Sequence, residues 1–422
     1  MRIAIFSECY LPVVNGVVTS ILSLRETLQN WGHNVVVFAP GSPQPDDDSD
    51  IIRLPELPFP RHPYKYARPF LHLPFDFAAL DIQIIHCQHP FTVGKLGAEI
   101  ARRYGLPMVY TAHTLYDTMV ATAKSPLLRA IGAPAARGVV RRFCARADYV
   151  IAPSYYTRDS LAVDGVEARL VVVPSGINAL KSSSGARDRL RAELKLCDET
   201  SLILFAGRLA PEKRIDLLVD STELLAKSGA KFKVVIVGDG PSRHELQELA
   251  VELGVAKLIH FAGPYPHDEM GDWYAAADIF AMPAPLETQG LVLVEAMAAG
   301  LPCVGVEHGG VREIILSGHT GLTTEFDPVE FANALKRLVC DRNFHDQMGV
   351  GARLRARAYS PEAMTSGVLG VYEAALRLPH APVVSQINVR NSVAALQRRT
   401  EKIERIRVRT LSKLTKKHRK YS

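Results

Sequence analysis

Eleven short apolar runs with no polar alternation constrain this chain more than any other feature. The first six are RIAIFS, NVVVFAP, IQIIHC, PMVYTAH, DYVIAPS and RLVVVPSG, most of them separated by stretches of helical period. A strand with one face in water alternates apolar and polar residues, whereas a strand covered by helices on both faces stays apolar throughout. The runs therefore predict a parallel α/β sheet. The same rhythm restarts with LILFAGRL, FKVVIVGDG, LIHFAGP, DIFAMPA and PCVGVEHG, with helical stretches such as PSRHELQELAVELG between them. At 422 residues the chain exceeds what one hydrophobic core usually organises. The expectation is α/β with two doubly wound, Rossmann-like domains, 1–178 and 179–379, joined near SGINALKSSSGARD, whose Gly and Ser residues read as a flexible stretch. The final helix of the second domain is expected to cross back. Open α/β sheets bind ligands outside the carboxyl ends of their strands, so two such sheets place the site in the cleft between them.

Composition excludes several function classes. Hydrophobic residues make up 47% and charged residues 22%, and no apolar run approaches the roughly 18 residues of a membrane span. The opening MRIAIFSECYLP meets Glu8 and Pro12 before a signal-peptide core could develop. The six cysteines are scattered, without a C-x-x-C pair, which argues against a disulfide framework or a zinc site and for a reducing, cytoplasmic location. The net charge of +6 is unevenly spread: residues 398–420 alone carry eleven Lys or Arg against Glu401 and Glu404. A basic tail, 380–422, on a mildly acidic body suits an anionic surface, either lipid headgroups or nucleic acid. The body has no aromatic-rich basic groove to extend a nucleic-acid site, so nucleic acid is not the expected partner.

Two acids and two bases carry the chemistry. In LFAGRLAPEKRIDLLVD, Arg208 falls at a strand end, Pro211 suits a first helical position and Lys213 lies in the first turn. Beside them, a helix opening at Gly290 and Leu291 would aim backbone N–H groups at an anion. Such a pocket accepts a diphosphate without a metal, and no metal or other cofactor is expected. Glu295 sits in LVLVEAMAA, a segment otherwise apolar on every side, where a lone carboxylate costs several kcal/mol. It needs an Arg or Lys partner, or a ligand hydroxyl. Glu287 in the loop and Glu295 one turn inside the helix would grip the two ends of a nucleotide sugar, Glu287 the sugar hydroxyls and Glu295 the ribose.

The E-x7-E spacing in ETQGLVLVE, together with GRLAPEK, resembles the retaining glycosyltransferases of family four, which have the GT-B fold. YLPVVNGVVTSI, WGHNVVVFAP, YTAHTLYD, VVVPSGIN, EHGGVREII and GHTGL follow the family in the same order, so the resemblance runs from about residue 1 to 375. It implies that Gly16 lets backbone approach the donor diphosphate and that His113 lies near the transferred sugar. Asn15 stands where many relatives carry a second Gly. Asp239 in VGDGPSR reads as a turn near the nucleotide base. The resemblance implies a nucleotide-sugar donor and transfer with retention. A double displacement would need a carboxylate nucleophile, for which Glu287 is the one candidate, and its expected contacts are to sugar hydroxyls; the favoured scheme is a same-face substitution in which the departing diphosphate, held by Arg208 and Lys213, helps deprotonate the incoming hydroxyl.

For the acceptor, YLPVVNGVVTSI, HTLYD and ETQGL look most like bacterial diacylglycerol α-glucosyltransferases. KSPLLRAIGAPAARGVVRRFCARAD mixes Lys124, Arg129, Arg137, Arg141, Arg142 and Arg146 with apolar residues, as an interfacial helix does. The expected partners are thus a lipid acceptor and an anionic membrane surface, with the enzyme peripheral on the inner face of the cell membrane. A GDP-mannose-dependent mannosyltransferase shares every motif. A sugar-nucleotide epimerase would share the cleft without needing both charged sets.

Overall fold

The computed structural model describes residues 1–13, 15–57, 66–67, 73, 76–116 and 126–382. Its first sheet contains β1 (Arg2–Phe6), β2 (Asn34–Pro40), β3 (Ile51–Leu54), β6 (Ile84–Cys87), β7 (Met108–Thr111), β8 (Tyr149–Ala152) and β9 (Arg169–Val172). A short antiparallel pair, β4 (Glu56–Leu57) and β5 (Tyr66–Ala67), stands apart from it. The second sheet contains β10 (Ser201–Ala206), β11 (Phe232–Val237), β12 (Ile259–Gly263), β13 (Ile279–Met282), β14 (Cys303–Val306) and β15 (Gly321–Thr324). The strand orders are β3-β2-β1-β6-β7-β8-β9 and β12-β11-β10-β13-β14-β15, with every pairing parallel. Each order reverses beside the first strand of its sheet, at β1/β6 and β10/β13, which opens a ligand crevice at that point.

Burial explains the apolar runs. In β1, Ala4 and Phe6 pack into the core on one face while Ile3 and Ile5 pack into the core on the other. In β10, Leu202 and Leu204 face one core and Ile203 and Phe205 the opposite one. Fully burying each such Ile, Leu or Phe is worth roughly 1.5–3 kcal/mol, so neither face tolerates a polar residue. All eleven runs became strands. The strands without such a run are β3 and β15, both at sheet edges, and the β4–β5 pair. An edge strand has one neighbour and less burial; Arg53 in β3 pairs with Asp47 at 2.6 Å, and β15 reads only GLTT.

The helix Pro361–Leu376 follows the second sheet but packs on the first. Ser360 caps it, and Met364, Val368, Val371, Tyr372 and Ala375 form one apolar stripe in the same core as Ile3, Ile5 and Ile21. The Tyr372 hydroxyl lies 2.7 Å from His86 Nδ1, and His86 Nε2 lies 2.7 Å from Thr111 Oγ1. Burial pushes the pKa of His86 down to about 3, so it is neutral in this network.

The Ser-rich joint differs from the flexible stretch expected from composition. The Asp272 carboxylate accepts from the Ser183 backbone N–H at 2.6 Å and from its hydroxyl at 2.7 Å, and Arg189 adds an ion pair to the same acid. A Gly/Ser composition sets the freedom of an isolated chain, and here hydrogen bonds to Asp272, in the helix Met270–Ala276 distant along the chain, remove it.

Glu8, at the end of β1, accepts a hydrogen bond from the Val93 N–H in the first turn of the helix Thr92–Tyr104. Burial raises its pKa from 4.5 to about 7, against the lowering effect of the Val93 and Gly94 amides. A carboxyl group whose folded pKa is raised favours the fold while protonated. Its contribution is full below pH 4.5 and lost as pH rises through about 7. Glu8→Gln should therefore gain about 2–3 kcal/mol in stability relative to wild type between pH 4.5 and pH 8. Urea unfolding at the two pH values measures this difference; a pH-independent offset would contradict it.

Candidate active site

The carboxyl edges of the two sheets enclose a cleft of about 1150 Å³. Gly16, His113, Arg208, Lys213, Asp239, Glu287, Gly290, Leu291 and Glu295 all line it, although they come from five separate stretches of chain. Arg137, Arg141 and Arg142 do not. They are exposed on the helix Pro126–Cys144, whose Val140, Phe143 and Cys144 pack into the first core. Arg137 pairs with Asp164 at 3.6 Å. Lys124, the side chain of Arg129 and the tail from residue 383 lie outside the described residues.

Two helix N-termini face each other across this cleft. One helix, Gly16–Asn30, is capped by the Asn15 side chain, which accepts from the Val18 N–H at 3.0 Å. Asn15 thus supplies the N-cap of this helix. The other, Leu291–Ala298, starts after Gly290, at φ 84°, and has no side-chain cap. A Cβ on Gly16 would lie 3.4 Å from Leu291 Cδ1, so a larger residue there would fill the gap between the two ends. Both helix dipoles present partial positive charge to the same space, which favours an anion.

The charges near that space pair differently from the arrangement expected of them. Lys213 Nζ donates to Glu287 Oε1, and Arg208 pairs with Glu212 with 61% of its side chain exposed. The two cations thus do not stand as a bare pair, and Glu287 does not stand free. Nor is Lys213 in a helical first turn: Pro211–Lys213 is a 3₁₀ turn, and the helix Ile215–Ala226 begins only after Arg214, held at φ 46°. That break leaves Lys213 reaching across to the loop of Glu287. Asp239 follows β11, is exposed, and accepts from the Gly240 N–H at 2.9 Å.

Glu295 is 5% exposed, and its hydrogen-bond partners among the described residues are neither Arg nor Lys. The Tyr274 hydroxyl donates to Oε2 at 2.7 Å, and His267 Nε2 lies 3.0 Å from Oε1. The hydrogen bond to Glu295 raises the pKa of His267 above its usual value despite partial burial. His267 lines the cleft and belongs to the turn His267–Glu269, whereas Tyr274 lies in the following helix, Met270–Ala276. Motif reading missed both; the only local signal is a histidine after the Pro-Tyr-Pro turn.

His113 ends the stretch after β7, with Nε2 2.6 Å from Gln88 Oε1. Burial, reinforced by His89 and His86, lowers its pKa to about 3, so it is a neutral donor or acceptor and not a cation. Its backbone carbonyl accepts from Thr288 Oγ1 at 3.1 Å, which ties this strand end to the loop of Glu287.

Residues 14–179 match the model described as Glycosyltransferase Family 4, and residues 186–355 match the one described as Glycosyl transferases group 1. The chain is 32% identical over 318 residues to an alpha-monoglucosyldiacylglycerol synthase of Acholeplasma laidlawii, spanning 72% of this chain and 80% of that protein. The chain belongs to the family-four glycosyltransferases. A GDP-mannose-dependent alpha-mannosyltransferase of Mycobacterium tuberculosis is 31% identical over 384 residues, covering 89% of this chain and 97% of that protein. The fold matches a sucrose-phosphate synthase from Thermosynechococcus elongatus with a TM-score of 0.71 at 21% identity, across 88% of this chain and 98% of that one.

This family-four glycosyltransferase is a nucleotide-sugar-dependent enzyme of GT-B architecture. Among its described residues, no helix is long and apolar enough to cross a membrane.

Proposed function

We propose that this glycosyltransferase moves glucose from UDP-glucose, with retention of anomeric configuration, to a membrane lipid such as diacylglycerol. The carrying observation is the convergence of Lys213, Glu287 and two helix N-termini on one cleft, with the carboxylate of Glu295 behind them. The diphosphate occupies the space between the helix ends. On its arrival Lys213 turns from Glu287 to the phosphates, Arg208 adds charge, and Glu287 is released to accept from sugar hydroxyls. No metal is required in this scheme, because fixed positive charge in a partly dry cleft stabilises the leaving group. Glu295 takes the ribose hydroxyls and Asp239 flanks the base.

The new bond forms on the face that the diphosphate leaves, and the diphosphate takes the proton of the incoming hydroxyl. The neutral imidazole of His113 hydrogen-bonds to the sugar without adding charge. A double displacement would need Glu287 as nucleophile. Azide rescue of Glu287→Ala that gave a glycosyl azide of inverted configuration would replace the same-face scheme with that one.

Lipid as acceptor is supported by alpha-monoglucosyldiacylglycerol synthases of Acholeplasma laidlawii and Streptococcus pneumoniae, 32% and 33% identical to this chain. The exposed Arg137, Arg141 and Arg142 add attraction to an anionic leaflet, on the order of 1 kcal/mol each. Mannosyl transfer from GDP-mannose is the second reading, supported by the longer alignment to the mycobacterial mannosyltransferase.

One assay separates them: incubation with UDP-glucose or GDP-mannose and diacylglycerol in anionic vesicles. The expected result is glucosyl-diacylglycerol, with the enzyme sedimenting with the vesicles and released by salt. A mannosylated product would favour the second reading, and indifference to vesicles and salt would remove the membrane.

A further inference from the structure

The loop 286–290 carries Glu287 and leads into the helix at Gly290, yet four of its hydrogen-bonding neighbours, Ser154, Thr157, Ser175 and His113, belong to the opposite domain. The Gln289 side chain is 4% exposed and is paired at both ends with one residue of the connecting strand exit: its Oε1 accepts from the Ser175 N–H at 2.9 Å, and its Nε2 donates to the Ser175 carbonyl at 2.9 Å. This leaves the carboxamide little capacity for a ligand, although Gln289 lines the cleft. Next to it, the Thr288 hydroxyl donates to the His113 carbonyl, and the Thr288 carbonyl accepts from the Ser154 hydroxyl.

Glu313 makes a third tie. It lies in the short helix Val311–Ile314 of the second domain, and its two carboxylate oxygens accept from the Tyr155 N–H at 2.9 Å and the Tyr156 N–H at 2.7 Å. Those amides open the first-domain helix Tyr155–Val163, so an acid of one domain caps a helix of the other. The Gly310 N–H in turn donates to the Glu287 carbonyl at 2.8 Å, which connects the Glu313 segment to the same loop.

We propose that Gln289, Thr288 and Glu313 form an interdomain latch and act as positioning residues, holding the loop of Glu287 in register with His113. The proposal rests on the donor-site assignment above. In that assignment the nucleotide is held by second-domain groups, Asp239 and Glu295, while the reacting sugar lies between Glu287 and first-domain His113. Freeing the loop would misplace the sugar against the acceptor and leave the nucleotide's own contacts in place. Misplacements of about 1 Å cost up to roughly 100-fold in rate.

The test uses the full chain as wild type, Gln289→Ala and Glu313→Ala. It measures kcat for sugar transfer, Kd for UDP and for GDP by calorimetry, and the radius of gyration by solution scattering. The expected result is a kcat lowered roughly 10- to 100-fold, nucleotide affinity close to wild type, and a larger radius of gyration without ligand. Glu313 does not line the cleft, so Glu313→Ala decides the matter even if Gln289→Ala does not fold. Wild-type turnover in Glu313→Ala, or kcat and nucleotide affinity falling together, would overturn the latch. If wild type turned over no nucleotide sugar, the donor-site assignment would fail by itself. The scattering comparison would still decide the latch, an unchanged radius overturning it.

Discussion

Lys213→Ala should lower kcat for sugar transfer by about 10²–10³-fold, the usual cost of removing one preorganised charge from a developing anion. Two effects act in the same direction. The substitution removes the cation that meets the leaving diphosphate, and it leaves Glu287, 14% exposed at its side chain, without its partner in the cleft. An unpaired carboxylate beside a diphosphate repels it, so the donor KM should also rise. The double variant Lys213→Ala/Glu287→Ala separates the two. It should recover donor affinity relative to Lys213→Ala, because the repelling acid is gone, while turnover stays low. Steady-state kinetics on the four proteins of this cycle measure the coupling. Near-wild-type turnover in Lys213→Ala would remove this lysine from the chemistry.

Glu295→Gln should raise the donor KM roughly 10- to 150-fold with little change in kcat, since a hydrogen bond to a charged group contributes about 1.5–3 kcal/mol. A donor lacking a ribose hydroxyl tests the assignment directly. Wild type should bind the 2′-deoxy or 3′-deoxy nucleotide more weakly than the parent, and Glu295→Gln should distinguish them less. Equal discrimination in both proteins would make Glu295 a purely internal group. The substitution also exposes a pH effect. His267 has a raised pKa in the fold because of its hydrogen bond to Glu295, so its stabilising contribution is present below pH 6.5 and fades as pH rises through the higher folded value. The stability gap between wild type and Glu295→Gln should therefore narrow on going from pH 6.5 to alkaline pH, as read from urea midpoints.

The buried carboxylate shows what sequence can and cannot supply. That Glu295 needs a partner follows from the apolar residues around it, because they are its neighbours along the helix. Which partner it has depends on His267 and Tyr274, 28 and 21 residues away, and no local pattern encodes that meeting. The same holds for Lys213 and Glu287, 74 residues apart. Residue types and spacing pointed to both groups and to one cleft lined by them, whereas the pairing of Lys213 with Glu287 lay beyond what spacing encodes. The Arg208 and Lys213 segment also departs from its helical appearance, because the left-handed Arg214 interrupts it.

By itself, then, the chain's order of residues determined the two parallel sheets and the place where their edges would bind a ligand. Burial on both faces is a composition rule that each strand must satisfy within its own few residues, and the helix Leu291–Ala298 keeps Glu295 at a set distance from Gly290. Only the tertiary structure decided the partners of the buried charges and the tie from Gln289 to Ser175. These are contacts between segments distant along the chain. They depend on how two finished domains sit against each other, which the hydrophobic pattern of either one leaves open.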